Sequence, residues 1–383
     1  MIYYVYSEDN QEFIEKNKLL EVWTSEINYL TFSHIDELDV DKASHLLVTG
    51  CLEEIKVLIE IAHKNDIGLG IIPTPEQKEL KRTFELPKKI EDAIVLALTP
   101  SEKKLDVLCC NDTIVLQEVV IGDAPPLDHF DTVLKGKTFF AKIKIFWLTI
   151  RKVKDLKHTK MKITLANDNV INLSAVGIVG VEYSNATFAA KLVSSQLSAN
   201  DGKLSIVILS PSSMLQYVSY LFTAMFSLGD KSLPASVGYI SSKEMTIEPK
   251  NSLTVRIDSS TIKHTPAVLK VKEEVLGLSV GEQFWEKQNK IQSTKDSIKI
   301  DHLPSDDENA EYLSKAIPLF SHASQEQYTS LFSSLREESK LSTSFMILLI
   351  LSTMIATFGL FINSSSVVIG ACLLYTSPSP RDS

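Results

Sequence analysis

The sequence predicts an α/β N-terminal domain, a β-rich sandwich-like domain after it, and a transmembrane helical segment near its end. Three observations predict this. Short apolar runs alternate with amphipathic helical patterns over residues 1–131. Alternating β-branched and aromatic residues dominate 132–285. Phe345 to Ile362, FMILLILSTMIATFGLFI, carries no charged residue in 18 positions, near the minimum for a helix crossing a hydrocarbon core of about 30 Å. A polar linker at 286–343 joins the second domain to the start of a transmembrane domain at 344–371, and 372–383 forms a tail.

In the first domain, Ile2 to Tyr6 reads as a strand, and Ser7 is placed to cap a helix starting near Gln11. His45 to Thr49 is a buried-strand run that turns at Gly50. Leu52 to Asn65 follows as a helix, with Leu52, Ile55, Leu58, Ile59 and Ala62 on one face. Gly68 to Pro73 reads as a strand, Glu76 to Phe84 and Lys89 to Leu98 as helices. Such alternation predicts a parallel sheet with crossover helices. In the second domain, strands are expected at Phe139–Ile150, Lys160–Leu165, Leu204–Leu209, Glu244–Ile247, Leu253–Ile257 and Ala267–Val271, with a buried helix at Ser213–Leu228.

A net charge of −9 argues against a general nucleic-acid binder. The N-terminus meets acidic residues by position 8 and has no secretory pattern, so the N-terminal domain is expected in the cytoplasm of a multi-pass protein of the inner membrane. Arg336 and Lys340 before the apolar run support that orientation. Cys51, Cys109, Cys110 and Cys372 show no disulfide or zinc spacing. The scattered histidines form no ligand set, and no metal site is expected. Asp123, in Ile-Gly-Asp-Ala-Pro-Pro, reads as a turn residue or a ligand-facing acid at the domain junction.

Several short strings resemble the diacylglycerol-kinase catalytic family. Gly70 to Pro87, GIIPTPEQKELKRTFELP, is similar to its second glycine-rich loop, with Pro73, Thr74, Arg82 and Pro87 matching. Leu46 to Gly50 stands where that family has a strand and a Gly-Gly-Asp-Gly-Thr loop. Asn200-Asp201-Gly202 resembles its Asp-Gly-Leu-Leu-Asp turn, and Val255 to Asp258 the strand before its Asp-Gly-Glu. The resemblance implies nucleotide binding around Thr49, Gly50, Pro73 and Thr74. The departures are in the chemistry. Pro75 removes an amide donor, Glu76 brings a negative charge to the expected phosphate position, and Asp258-Ser259-Ser260 lacks the base carboxylate. These losses point to a catalytically degraded module with no catalytic residue assigned. The alternative is an active lipid kinase using ATP and Mg²⁺, with activity lost on changing Asp258.

Leu341 to Ala371 resembles the opening of the bacterial hydrophobic membrane family of unknown function numbered 389, some members of which carry a lipid-kinase-like domain. That implies a sensing or regulatory role for the module, biasing a polytopic membrane part by binding a nucleotide or lipid. A transporter or channel with an accessory domain is a second alternative. Membrane lipids are the expected partners. Lys142, Lys144, Arg151 and Lys152, in a basic stretch with Phe146 and Trp147, are candidates for anionic headgroups, against the plainer reading of a solvated strand face. The tail Cys372–Ser383 resembles translated sequencing adapter, so the natural chain is expected to continue into further apolar segments.

Overall fold

The computed structural model describes residues 1–18, 27–101, 103–124, 157–184, 187–193, 197–226, 236–258, 261–288, 297–300 and 343–375, with a few positions between 303 and 336. Residues 1–322 and 323–383 form two compact units.

The N-terminal layer is a four-stranded parallel sheet in the order β2-β1-β3-β4, made of Ile27–Thr31, Ile2–Tyr6, His45–Thr49 and Gly68–Ile71. β3 is buried throughout, as a strand covered on both faces must be. Its side chains divide by the period of two. Leu46 and Val48 meet Ile55, Leu58 and Ile59 of helix α2 (Leu52–Lys64) on one face. Leu47 joins Ile14 and Ile94 on the other, carried by α1 (Gln11–Lys18) and α4 (Ile90–Leu98). A Cβ on Gly70 would collide with the Ala97 carbonyl, so the bare backbone there lets α4 lie close to β4.

The chain then builds two antiparallel sheets. One runs β6-β5-β16-β13-β8-β9, from Thr113–Val115, Leu105–Cys110, Ala267–Leu276, Glu244–Pro249, Thr159–Leu165 and Val170–Ala175. The other runs β15-β14-β7-β10-β11-β12-β17, from Thr261–His264, Thr254–Ile257, Val119–Gly122, Gly177–Val181, Leu204–Leu209, Val237–Ser242 and Ser297–Lys299. Their inner faces share one apolar core, where Leu108, Ile163 and Leu269 meet Ile121, Ile206 and Ile240. Helix Met214–Phe226 covers the outer face of the larger sheet with Tyr217 and Tyr220. Residues 105–122 therefore pair within the sandwich although they precede the expected boundary at 131. After β16 the chain returns to the first sheet: Leu69 N donates to Gly277 O at 2.8 Å and Ser279 N to Leu69 O at 2.9 Å. Phe284 then packs in the α/β core.

The transmembrane expectation is corrected. Among the described residues no helix is long and apolar enough to cross a membrane. The apolar run forms helix Thr343–Phe361 of 19 residues. Asn363, at φ 53°, turns the chain, and helix Ser365–Tyr375 packs back on the first. Ser352 Oγ donates to Ala371 O across the pair at 2.6 Å. With the span go the membrane-lipid partners and the multi-pass inner-membrane location inferred from it. The expected linker 286–343 and the strand Phe139–Ile150 lie largely or wholly outside the described residues.

Candidate functional site

Open α/β sheets place ligands outside the carboxyl ends of their strands, where the strand order reverses. Here the reversal falls between β1 and β3. Thr49, at the end of β3, is buried and committed: its hydroxyl donates to Ile72 O at 2.7 Å and meets Tyr4 OH at 2.7 Å. Burial raises the Tyr4 phenol pKa, so that partner keeps its proton. Gly50 follows, where an added Cβ would displace the Glu54 carboxylate. Glu54 Oε2 accepts the Cys51 amide at 2.7 Å, closing the first turn of α2. Pro73 and Thr74 follow β4. The Thr74 amide donates to Gln77 Oε1 at 3.0 Å, and Gln77 Nε2 donates to Gly50 O at 2.5 Å. One side chain thus joins both loops that the sequence singled out.

Beside this junction lies a cavity of about 440 Å³, lined by Leu52, Glu76, Gln77, Lys78, Glu79, Leu80, Arg82 and Gln117. It presents two cations and two carboxylates at its wall. Burial lowers the Arg82 pKa, against the attraction of Glu79 and Glu118. A guanidinium keeps its charge through such a shift.

Asp258 has another occupation. Its side chain is fully buried and pairs with buried Lys56 of α2 at 2.9 Å. Its carboxylate also accepts the amides of Leu116 at 2.9 Å, Gln117 at 2.8 Å and Glu118 at 3.1 Å. Lys56 reaches Glu53 Oε1 as well, at 3.1 Å. Asp258 sits at φ 47°, a strained position for a residue with a Cβ. With its oxygens saturated, Asp258 staples β14, the β6–β7 turn and α2 together and has no lone pair directed at a substrate proton. Loss of activity on changing it would follow from the fold.

Three acids from distant parts of the chain converge in the sandwich: Asp106 of β5, Glu182 just after β10, and Asp201 in the turn before β11. Their oxygens lie within 4.8 Å of one another. Asp106 accepts the Gly202 amide at 2.7 Å and the Glu274 amide at 2.8 Å; Asp201 accepts the Lys203 amide at 3.1 Å. Both oxygens of Glu182 are buried with no hydrogen-bond partner. Burial, reinforced by Asp201 and Asp106, holds its carboxyl well above the usual carboxylate range. Burial likewise pushes Asp201 up to about 6 and raises Asp106. Unpaired buried carboxylate oxygens are costly, and an all-oxygen donor set suits a hard divalent cation.

Structure therefore brings Thr49, Gly50, Pro73 and Thr74 to one end of the parallel sheet. Lys142, Lys144, Arg151 and Lys152 lie outside the described residues. Asp123 is exposed beside core Ala124. The sequence marks Gln77 only as a departure from the family's second glycine-rich loop, and gives no sign of Lys56, Asp106 or Glu182. Of the three acids, only Asp201 carried a signal, through its Asp-Gly turn.

No family model matches the chain. A Staphylococcus carnosus protein named "Putative lipid kinase" is 24% identical over 227 residues, covering 58% of this chain and 72% of that protein. A Staphylococcus epidermidis protein, "Putative lipid kinase SERP0390", is 22% identical over 241 residues, covering 63% and 76%. Two Bacillus anthracis structures share the fold. One, "a putative diacylglycerol kinase", is 19% identical with a TM-score of 0.55, covering 74% of this chain and 97% of that one. The other, described as "a diacylglycerol kinases", is 16% identical with a TM-score of 0.53 and the same coverages. The α/β domain and β-rich sandwich therefore have a lipid-kinase-like fold. These matches, with the short helical hairpin, overturn the assignment to the membrane family numbered 389. They overturn equally the reading of a non-enzymatic module that regulates a membrane domain, since among the described residues no helix is long and apolar enough to cross a membrane and the sequence relatives carry kinase names.

Proposed function

We propose that the protein is an ATP-dependent lipid kinase of the diacylglycerol-kinase type, transferring the γ-phosphoryl group of ATP to a lipid hydroxyl. The observation that carries this is the cavity of about 440 Å³ at the carboxyl end of the parallel sheet, walled by Lys78, Arg82, Glu76 and Glu79. The fold and the names of the sequence relatives support it.

Phosphoryl transfer is achieved by positioning and charge neutralisation. Lys78 and Arg82 supply positive charge to the transferred phosphate. Arg82, planar and half-buried, holds phosphate oxygens bidentately. Glu79, half-buried at the same wall, accepts the proton of the attacking hydroxyl. Asp106, Glu182 and Asp201 would hold a divalent cation, which would offset most of their negative charge.

The test is phosphorylation of diacylglycerol in mixed micelles by the purified full chain with labelled ATP. Mg²⁺-dependent labelling of lipid is expected, falling about tenfold or more in Arg82→Ala with the melting temperature retained. Absence of ATP binding by the folded protein would overturn the reading.

A further inference from the structure

The two loops at the carboxyl end of the sheet are closed on themselves by this chain's own side chains. Gln77 Oε1 takes the Thr74 amide at 3.0 Å while Gln77 Nε2 gives its hydrogen to Gly50 O at 2.5 Å. The orientation of the carboxamide is settled by its neighbours, since an amide N–H needs an acceptor and a carbonyl needs a donor. The Cys51 amide is taken by Glu54 Oε2 at 2.7 Å. Both amides that a phosphate would seek at this edge are therefore already satisfied. Gln77 also lines the cavity, so its side chain lies between the ligand space and the loops.

We propose that Gln77 is a self-occluding latch over the phosphate end of the site, which a phosphate-bearing ligand must displace in order to reach the Thr74 amide. This rests on the kinase reading above and adds its regulation. On entry, a phosphate oxygen replaces Gln77 Oε1 at the Thr74 amide, and the carboxamide releases Gly50 O. The released carboxamide is half-exposed and finds water. The exchange conserves the count of hydrogen bonds at Thr74 and gives up the one at Gly50, so the latch weakens ligand affinity by the free energy of keeping it shut. Glu54 is a poorer candidate for the moving part. It is tied within α2 as an ordinary capping side chain, whereas Gln77 bonds to both loops.

Two substitutions act in opposite directions. Gln77→Ala removes the strap and frees the Thr74 amide. Gln77→Glu keeps a side chain of the same size, cannot donate to Gly50 O, and sets a negative charge beside the ligand phosphate. The experiment is calorimetric titration of MgATP into the full chain, as wild type, Gln77→Ala and Gln77→Glu, with melting temperatures recorded alongside. Gln77→Ala is expected to bind about tenfold tighter than wild type, the worth of one or two net hydrogen bonds, and Gln77→Glu weaker. Binding by the wild type with Gln77→Ala equal or weaker would overturn the latch and leave the kinase reading standing. No binding by any of the three folded proteins would overturn that reading and the latch with it.

Discussion

The loops at the end of the parallel sheet and the carboxylates in the sandwich handle buried polar groups in opposite ways. Around Thr49, Gly50 and Thr74, hydroxyl, carbonyl and amides meet partners from the chain itself. Around Asp106, Glu182 and Asp201, the acids crowd within 4.8 Å and Glu182 has no partner for either oxygen. A buried polar group without a partner costs on the order of 1–3 kcal/mol. The closed region is therefore stable as it stands and must open to work. The open one carries a cost that a cation would relieve. Substitutions should separate the two.

The largest effect is expected where the closed region is stapled. Asp258→Ala leaves buried Lys56 without its main anion and three amides without an acceptor. Stability should fall by about 3–5 kcal/mol. Lys56→Met should cost less, because Asp258 keeps its three amides. Denaturant unfolding of both variants checks the order, and a milder effect for Asp258→Ala would show that the staple is not what holds α2.

Thr49→Val comes next. It keeps the shape and removes a hydroxyl bonded to Tyr4 and Ile72, costing about 1–2 kcal/mol. ATP affinity should hardly change, since that hydroxyl is spent inside the fold. A large loss of affinity with unaltered stability would instead make Thr49 a ligand contact.

These contrasts also explain what could be read from the sequence. β1, β3 and β4 are compact apolar runs because a parallel sheet is covered on both faces, and their loops followed directly. β2, INYLT, is an edge strand that is only partly buried, so its pattern is weak. The apolar run near the end was long enough to suggest a span by composition. The Asn363 turn that limits it has a recognisable signal, an asparagine in left-handed conformation after a helix. Asp258 stood out by its place in a motif, but its work is defined by Lys56 and residues 116–118, far away in sequence. Asp106, Glu182 and Asp201 are separated by whole strands, and no spacing rule gathers them. Gln77 is an ordinary polar residue until both loops are in place.

The smallest effect should come from the open region, and its sign is opposite. Glu182→Gln removes a carboxyl that folding forces to hold a proton, so the metal-free protein should gain roughly 1 kcal/mol, or about 2–4 °C in melting temperature. The gain should depend on pH. A carboxyl with a raised folded pKa binds its proton more tightly folded than unfolded, so stability falls as pH rises past the unfolded value. Below about pH 4 both states are protonated and the cost vanishes. For Asp201, lifted from 3.8 to about 6, the loss accumulates between those values and then levels off; for Glu182, which burial holds well above the usual carboxylate range, stability likewise falls as pH rises past the unfolded value. Melting curves without divalent cation should therefore drop from pH 4 to 7 in the wild type and drop less in Glu182→Gln. Added Mg²⁺ should raise the wild-type melting temperature at pH 7 and move the variant less. Equal pH slopes in the two proteins would mean that the acids share their protons without strain. Equal Mg²⁺ shifts would place the cation elsewhere.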